Sequence, residues 1–306
     1  MPRFSIVMPC FNAAQTLPQT LASIAAQSFD DWELICIDDG ATDATAEILA
    51  QHASRDPRII VARNPAKGPS SARNHAAEVL ASGEIIAFCD ADDVWHQAKL
   101  ADLDASFRRG TADVLFGQIG FFATDPDKLT TLSTVPAAPL DIATLLGENP
   151  VCTLSNVSIR RASFLRFGGF DTGIVHNEDL EWLIRLAGQG AEIRGIDRFH
   201  VWYRASLNGL SSDLVRMAAG RAHAIATAAG FGVTPLPRAE AVHHRYLARR
   251  ALRLGLPRRT AARYALQGML TSPRGFMSPP RRGAMTLTAA LSNLFLPRAI
   301  SRVLFS

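Results

Sequence analysis

Four short apolar runs alternate with stretches of helical periodicity within the first 90 residues, and that alternation leaves few folds open. Residues 4–8 (FSIVM), 32–37 (WELICI), 58–62 (RIIVA) and 85–88 (IIAF) have the length and content of buried strands. Between the first two, Leu17, Leu21 and Ile24 recur at spacings of four and three, and Asn12 is placed to cap the helix they define. Further helices are expected from Thr42 or Asp43 to about Ala53, and over 72–81. Pro9 cannot donate within a central ladder and marks the end of the first strand. The pattern predicts an α/β fold, a Rossmann-like, mostly parallel sheet flanked by helices and joined by right-handed crossovers.

The fourth run carries the chemistry. Residues 85–95, IIAFCDADDVW, break from apolar into three carboxylates, Asp90, Asp92 and Asp93. A strand ending in acids delivers them to the sheet edge where open α/β folds bind ligands. Crowded carboxylates repel, and Mg²⁺ or Mn²⁺ removes the repulsion while keeping positions open for diphosphate oxygens. Two other readings stand beside this one. Asp92 or Asp93 can simply cap the helix that follows, over 95–107. Asp90, Asp92 and Val94 also match the D-x-D-x-[TV] signature of haloacid dehalogenase phosphatases, but those proteins carry it on their first strand, and here earlier strands precede it.

Four segments in order, VMPCFNAAQTL, ICIDDGATDAT, GPSSARNHA and FCDADDVW, resemble the nucleotide-binding half of the family 2 glycosyltransferases, which share the GT-A fold. The resemblance implies a metal-dependent inverting enzyme that takes a nucleotide sugar, with uracil the usual base. It assigns base recognition to Asp39, a place near base or diphosphate to Arg73, and ribose and metal to Asp90 and Asp92, with Asp93 as a second metal ligand. Pro9 and Asn12 of the first segment join the substrate-binding set. From the residues alone, Asp38 or Asp39 can equally be a turn acid and Arg73 a solvated helix residue.

Beyond residue 95 a helix is expected over 97–107, strands over 114–116 and 157–159, and a short helix over 140–146. Residues 125–139, rich in proline and threonine, read as an exposed loop. The resemblance continues through FGGFD (167–171), a segment lining the acceptor pocket, to NEDLEWLIRLAGQG, where Asp179 matches the catalytic acid and Glu178 beside it joins the substrate-binding set. Leu180, Leu183, Ile184 and Ala187 repeat at helical spacing, so both acids open a helix. A carboxylate there can take the proton of an attacking sugar hydroxyl. It can also do no more than favour the positive helix N-terminus, and His176 with the two acids forms an alternative metal set. Tyr203 and Arg204, followed by Ser206 and Ser211, match a family segment able to close over the diphosphate, so Arg204 joins the substrate-binding set. Ser206 stands where members often carry histidine.

With 306 residues, 48% hydrophobic and 20% charged, the chain can bury a large core. No apolar run approaches the roughly 20 residues that cross a bilayer, which places the protein in the cytoplasm or at the inner face of the cell membrane. Cys10, Cys36, Cys89 and Cys152 lie in apolar sequence without C-x-x-C spacing and read as small buried residues. Charge is unevenly spread: residues 236–306 hold thirteen arginines and one acid, Glu240, for +12 against about −8 in the first 235. Helices are expected over 241–256, 260–270 and 285–305, with Ala290, Leu291, Leu294, Phe295, Ile300, Val303 and Leu304 as an apolar face beside Arg298 and Arg302. That tail can meet an anionic membrane surface or cap the catalytic domain, and no nucleic-acid motif supports a third partner. The expected organisation is a nucleotide-sugar half (1–105), an acceptor half (106–215) and a basic helical C-terminal extension (216–306). The function expected is transfer from a nucleotide diphosphate sugar to a saccharide or lipid-linked saccharide in envelope polysaccharide synthesis. The alternative is a silent nucleotide-sugar-binding scaffold of such an assembly.

Overall fold

The computed structural model describes residues 1–122, 131–204 and 213–296. They form two compact units, Met1–Leu140 with Pro150–Ser206, and Asp141–Asn149 with Leu207–Ser306. The first elements are β1 (Phe4–Cys10), α1 (Leu17–Ala25), β2 (Trp32–Asp38), α2 (Thr45–Ala53), β3 (Ile59–Arg63), α3 (Pro69–His75), β4 (Ile85–Phe88), β5 (Val94–Trp95) and α4 (Lys99–Arg109). There follow β6 (Val114–Phe122), β7 (Thr131–Leu132), α5 (Ile142–Gly147), β8 (Val157–Arg160), α6 (Arg161–Phe167), α7 (Glu178–Gly188) and β9 (Ile193–Arg204). The helices α8 (Leu214–Gly230), α9 (Pro237–Arg253), α10 (Arg258–Thr271), α11 (Pro273–Phe276) and α12 (Pro280–Ser292) come last.

In the first unit one sheet runs in the order β3-β2-β1-β4-β8-β6-β9-β5, with β7 on β6. The first four strands in that order are mutually parallel, as the alternation predicts. β8 is antiparallel to both β4 and β6, so the second half of the sheet is mixed. β1 and β4 are buried almost throughout because both sheet faces are covered. One face packs Ile6, Met8, Leu34, Cys36 and Ala87 against Leu17, Leu21 and Ile24 of α1 and Leu100 and Leu103 of α4. A separate aromatic cluster gathers Phe88, Phe164, Phe170 and Trp182, with Phe170 and Trp182 centroids 4.4 Å apart.

Several boundaries differ from expectation for identifiable reasons. β1 continues through Pro9, which pairs with Ile37 of β2. Val7 O accepts from Cys89 N, so Pro9, two residues on, faces the β4 side beyond the end of that register, where no donor is required. Asn12 does not cap α1, which begins at Leu17. It sits at φ +47 and its Oδ1 accepts from Thr42 N at 2.8 Å, tying the end of β1 to the loop after β2. Neither Asp92 nor Asp93 caps α4, since β5 intervenes and the helix starts at Lys99. Cys10, Cys36 and Cys89 are buried as expected, but Cys152 is exposed, at a residue with φ +68.

The second unit packs α9 residues Ala241, Leu247, Ala248 and Ala251 on Ala261, Ala265, Phe276 and Ala290. Small residues let these helices approach closely: a Cβ on Gly268 of α10 would press on Phe276 and His244. The helix α8, which the sequence reading passed over, is capped by Asp213 Oδ1 accepting from Val215 and Arg216 N–H groups. Ala290, placed on an apolar face that could meet a membrane or pack within the protein, is fully buried in the unit's core, while Phe295 is exposed. Ile300, Val303, Leu304, Arg298 and Arg302 lie outside the described residues, as do Ser206, Ser211 and part of the 125–139 loop. No helix of the described residues is long and apolar enough to cross a membrane.

Candidate active site

The parallel strands β1, β2 and β4 bring their carboxyl ends to one edge of the sheet, with Cys10 in register with Asp38 and Val7 with Phe88. The two acids after β2 have different tasks. Asp38 Oδ1 accepts from Gly40 N (3.1 Å) and Ala41 N (2.8 Å), so it is the turn acid, and Gly40 takes φ +80 in that turn. Asp39 instead reaches the loop after β3: both its oxygens accept from Gly68 N at 3.1 Å, and Asn64 Nδ2 donates to Oδ1 at 2.6 Å. Gly68 holds φ +94, a conformation that brings its N–H onto the carboxylate and that a side chain resists. Asn64 is fixed in turn by Ser71 Oγ, which donates to its Oδ1 at 3.0 Å.

Arg73 is the pivot of the site. Its Nη2 lies 2.7 Å from Asp90 Oδ1, and its Nη1 lies 3.1 Å from Glu178 Oε1. Its side chain is 5% exposed, which rules out a solvated helix residue, and its carbon Cζ stands 5.6 Å from the Phe170 ring. Burial pulls the arginine pKa down, but the charges of Asp90 and Glu178 outweigh it and hold the pKa above the ordinary value. One guanidinium thus joins the acid after β4 to the start of α7, although 105 residues separate Arg73 from Glu178. Its Nε is buried without a hydrogen-bond partner.

Asp179, next along α7, keeps part of its surface open. Burial, and then the Glu178 charge, raise its pKa to about 7, while the Leu180 backbone N–H and Arg73 pull it back. A carboxylate so placed is a far better proton acceptor than a free aspartate. His176 is buried nearby in sequence, yet among the described residues no group of three or more His, Cys, Asp or Glu has metal-site geometry.

Two of the three acids after β4, Asp90 and Asp93, are held by a short turn and the threonine before it. In the 3₁₀ turn at Leu154–Asn156, Ser155 Oγ accepts from Asp90 N at 2.8 Å. Thr153 Oγ1 lies 3.4 Å from Asp90 Oδ2 and 3.3 Å from Asp93 Oδ2. Asp93 is turned inward, and its Oδ1 accepts from Arg204 N at 3.0 Å. Arg204 Nε donates to Asp92 O at 2.8 Å and Nη2 to Gln19 Oε1 at 2.6 Å, with Phe122 beneath the guanidinium. Below the acids, fully buried Lys99 donates to Ser155 O and lies 4.0 Å from the Trp95 ring. Burial lowers its pKa to about 7.

Burial and then the Asp90 charge raise the Asp92 pKa to about 6. Burial, Asp92 and Asp90 push Asp93 well above the usual range. Mutual repulsion of this kind is what a divalent cation relieves, and Asp92 is the acid of the three whose side chain is not already taken up by Arg73 or by the turn. Asp93 is better matched to holding the turn, since both its oxygens already have protein donors. Asn64, Lys99, Thr153 and Ser155 went unread in the sequence. The one available signal was polar residues interrupting the apolar run around 151–159.

An α/β sheet with convergent acids and a buried arginine at its carboxyl edge defines a ligand-binding protein of the open-sheet class. The chain belongs to glycosyl transferase family 2, whose model matches residues 5–168. It is similar to the Escherichia coli UDP-Glc:alpha-D-GlcNAc-diphosphoundecaprenol beta-1,3-glucosyltransferase WfgD, 40% identical over 31% of this chain and 37% of the relative. A second enzyme of the same description in Escherichia coli, WfaP, is 26% identical over 70% of this chain and 81% of its own. Matches to the leading relatives thus span as little as about two fifths of their length. Among solved structures, the mannosyltransferase PcManGT from Pyrobaculum calidifontis, in complex with GDP-Man and Mn2+, superposes with TM-score 0.61 at 19% identity, covering 99% of this chain and 83% of that one. At that identity the likeness is one of fold. Family membership leaves no role for the phosphatase reading of Asp90, Asp92 and Val94.

Proposed function

We propose that this chain transfers a sugar from a nucleoside diphosphate sugar, with UDP as the carrier, to a hydroxyl of a lipid-linked saccharide in envelope polysaccharide synthesis, inverting the anomeric centre. The observation that carries the proposal is the Arg73 bridge, which links the donor-side acid Asp90 to Glu178, beside the proton acceptor Asp179. Two relatives whose names specify a diphosphoundecaprenol acceptor support the lipid-linked class.

In this reading residues 1–105 bind the donor, and Asp39, steadied by Asn64 and Gly68, takes the base. Pro9 and Asn12 shape the floor beside it, and Asp90 takes the ribose. Asp92 holds the metal, which when bound supplies positive charge to the departing diphosphate. Arg204 keeps the backbone of Asp92 in place and adds its own charge there. Residues 106–215 receive the acceptor, whose hydroxyl loses its proton to Asp179 as its oxygen attacks the anomeric carbon. The nucleoside diphosphate leaves from the opposite face of the sugar. The basic extension, 216–306, rests on an anionic membrane at its cytoplasmic surface, each arginine near the lipid adding about 1 kcal/mol.

The test is thermal stability of the purified protein with UDP, GDP, CMP and dTDP, each with Mn²⁺ and with chelator. UDP should raise the midpoint only when metal is present, and a ligand at a hundred times its dissociation constant stabilises by about 2.7 kcal/mol. No shift with any nucleotide would remove the donor site. A shift without turnover of any donor, even by hydrolysis, would favour the silent scaffold.

A further inference from the structure

The second unit carries a like-charged row that its own fold does not neutralise. Arg245, Arg249 and Arg253 stand four residues apart on α9, so one face of the helix presents three guanidiniums in line. Arg282 of α12 joins them: its Nη1 lies 3.0 Å from Glu148 Oε1, while Arg245 Nη2 lies 3.5 Å from Oε2 of the same carboxylate. Residues 241–296 contain ten arginines and no aspartate or glutamate, so Glu148 has to serve several of them.

The four arginines differ in what engages them. Arg245 is buried, and its Nη1 donates to Phe276 O at 2.8 Å and to Ser278 O. Arg282 is held by Glu148. Among the described residues, Arg249, half-buried, and Arg253, exposed, make no hydrogen bond or ion pair of their own, and Glu148 reaches Arg249 only as a more distant charge. Burial lowers the pKa of Arg249, and the charges of Arg253 and Arg282 lower it further, against Glu148. Arg253 is lowered by burial and by Arg250. Like charges one turn apart destabilise a helix, so the row costs the fold stability unless an anion sits on it. Guanidinium forks match phosphate oxygens in pairs, which lysine ammonium groups do not.

We propose that Arg249 and Arg253, flanked by Arg245 and Arg282, form a binding site for a phosphate-bearing anion. The site shares no residue with the proposed transfer centre; its lipid arm rests on the membrane contact proposed for residues 216–306, whereas its pyrophosphate arm and the metal-free conditions test it apart from transfer. The phosphate can belong to a lipid headgroup or to a soluble diphosphate, and the chemistry that recognises it is the same.

The experiment uses the full chain with chelator present, to keep divalent metal out of the first unit. Thermal midpoints are read with inorganic pyrophosphate and with sodium chloride of equal ionic strength. Sedimentation is read with phosphatidylcholine vesicles, with and without phosphatidylglycerol. The proteins are wild type, the double variant Arg249→Gln with Arg253→Gln, and a control, Arg259→Gln with Arg263→Gln, which removes two exposed arginines of α10. Wild type and control should respond to pyrophosphate or to phosphatidylglycerol, and the Arg249/Arg253 variant should bind at least about tenfold more weakly, the loss of one good contact. Without any anion the same variant should melt above wild type, because repulsion has been removed. A headgroup source gives vesicle binding that exceeds the pyrophosphate response, and a soluble source gives the reverse. The proposal fails if neither probe binds, if the control loses as much as the double variant, or if the double variant melts below wild type and binds equally well.

Discussion

Replacing Arg73 by methionine removes one guanidinium and leaves two carboxylates facing each other. Asp90 is 28% exposed and Glu178 12%, so water can reach the first but serves the second poorly. Breaking a buried ion pair from one side costs about 3–5 kcal/mol, and the partial exposure of Asp90 places this case near the lower figure, about 3 kcal/mol. For a unit of this size each kcal/mol moves the melting midpoint by about 2–4 °C, giving a fall of roughly 6–12 °C. The sign of the pH dependence follows from the charges left behind. Burial and the Glu178 charge raise the Asp179 pKa to about 7 and Arg73 pulls it back, so without Arg73 it stands further above its unfolded value, and stability is lost as pH rises and partly regained towards pH 5. Melts of wild type and Arg73→Met at pH 5 and pH 8, without nucleotide, read both effects. Adding Glu178→Gln to Arg73→Met should recover part of the loss by removing the stranded charge. A cost under about 1 kcal/mol at pH 8 would mean that the triad is hydrated and does not join the two halves of the site.

Two further substitutions test the frame around the acids. Lys99→Met should be tolerated within about 1.5 kcal/mol, because Trp95 Nε1 still donates to Ser155 O at 3.1 Å. Since burial lowers the Lys99 pKa to about 7 against its unfolded value near 10.5, wild type should gain stability relative to Lys99→Met as pH rises from 7 to 10; a constant difference in urea titrations would contradict the burial of that amine. Gly169→Ala would drive a methyl group into Asn74, whose amide clamps Phe170 from both sides, donating to its carbonyl and accepting from its N–H at 2.8 Å. The loss should be about 1–3 kcal/mol by denaturant unfolding, and a loss under 0.5 kcal/mol, roughly the level of an ordinary surface change, would show that the clamp is dispensable.

What could be read in the sequence was local. The short apolar runs and the helical spacing between them in the first 90 residues anticipate the parallel half of the sheet, and the apolar run 85–88 became β4 with those limits. The acids after it sit at a strand end because the apolar run stops at Cys89, and the Val94–Trp95 pair that follows them forms the separate short strand β5. The partners of those acids come from far along the chain and leave no local period: Ser155 is 65 residues from Asp90, and Arg204 is 111 from Asp93. Pro9 misled because a proline ends a strand only where its missing donor is required, and that depends on how far the neighbouring strand runs. For Ala290 the sequence left membrane contact and internal packing both open, and only the positions of α9 and α10 decide between them. Asp38 and Asp39 were indistinguishable until their turn and loop partners were placed.

The central claim is that Asp179 takes the proton of the acceptor hydroxyl in a site that binds nucleotide independently of it. It is tested most directly by measuring sugar transfer and UDP affinity together in wild type and Asp179→Asn, across pH 5.5 to 9. Wild-type transfer should rise with pH through about 7 as the carboxylate ionises, and Asp179→Asn should lose about 10²–10⁴-fold in transfer while binding UDP within a factor of about two. Equal loss of binding and transfer, or a variant that keeps both the rate and the pH dependence, would contradict the account.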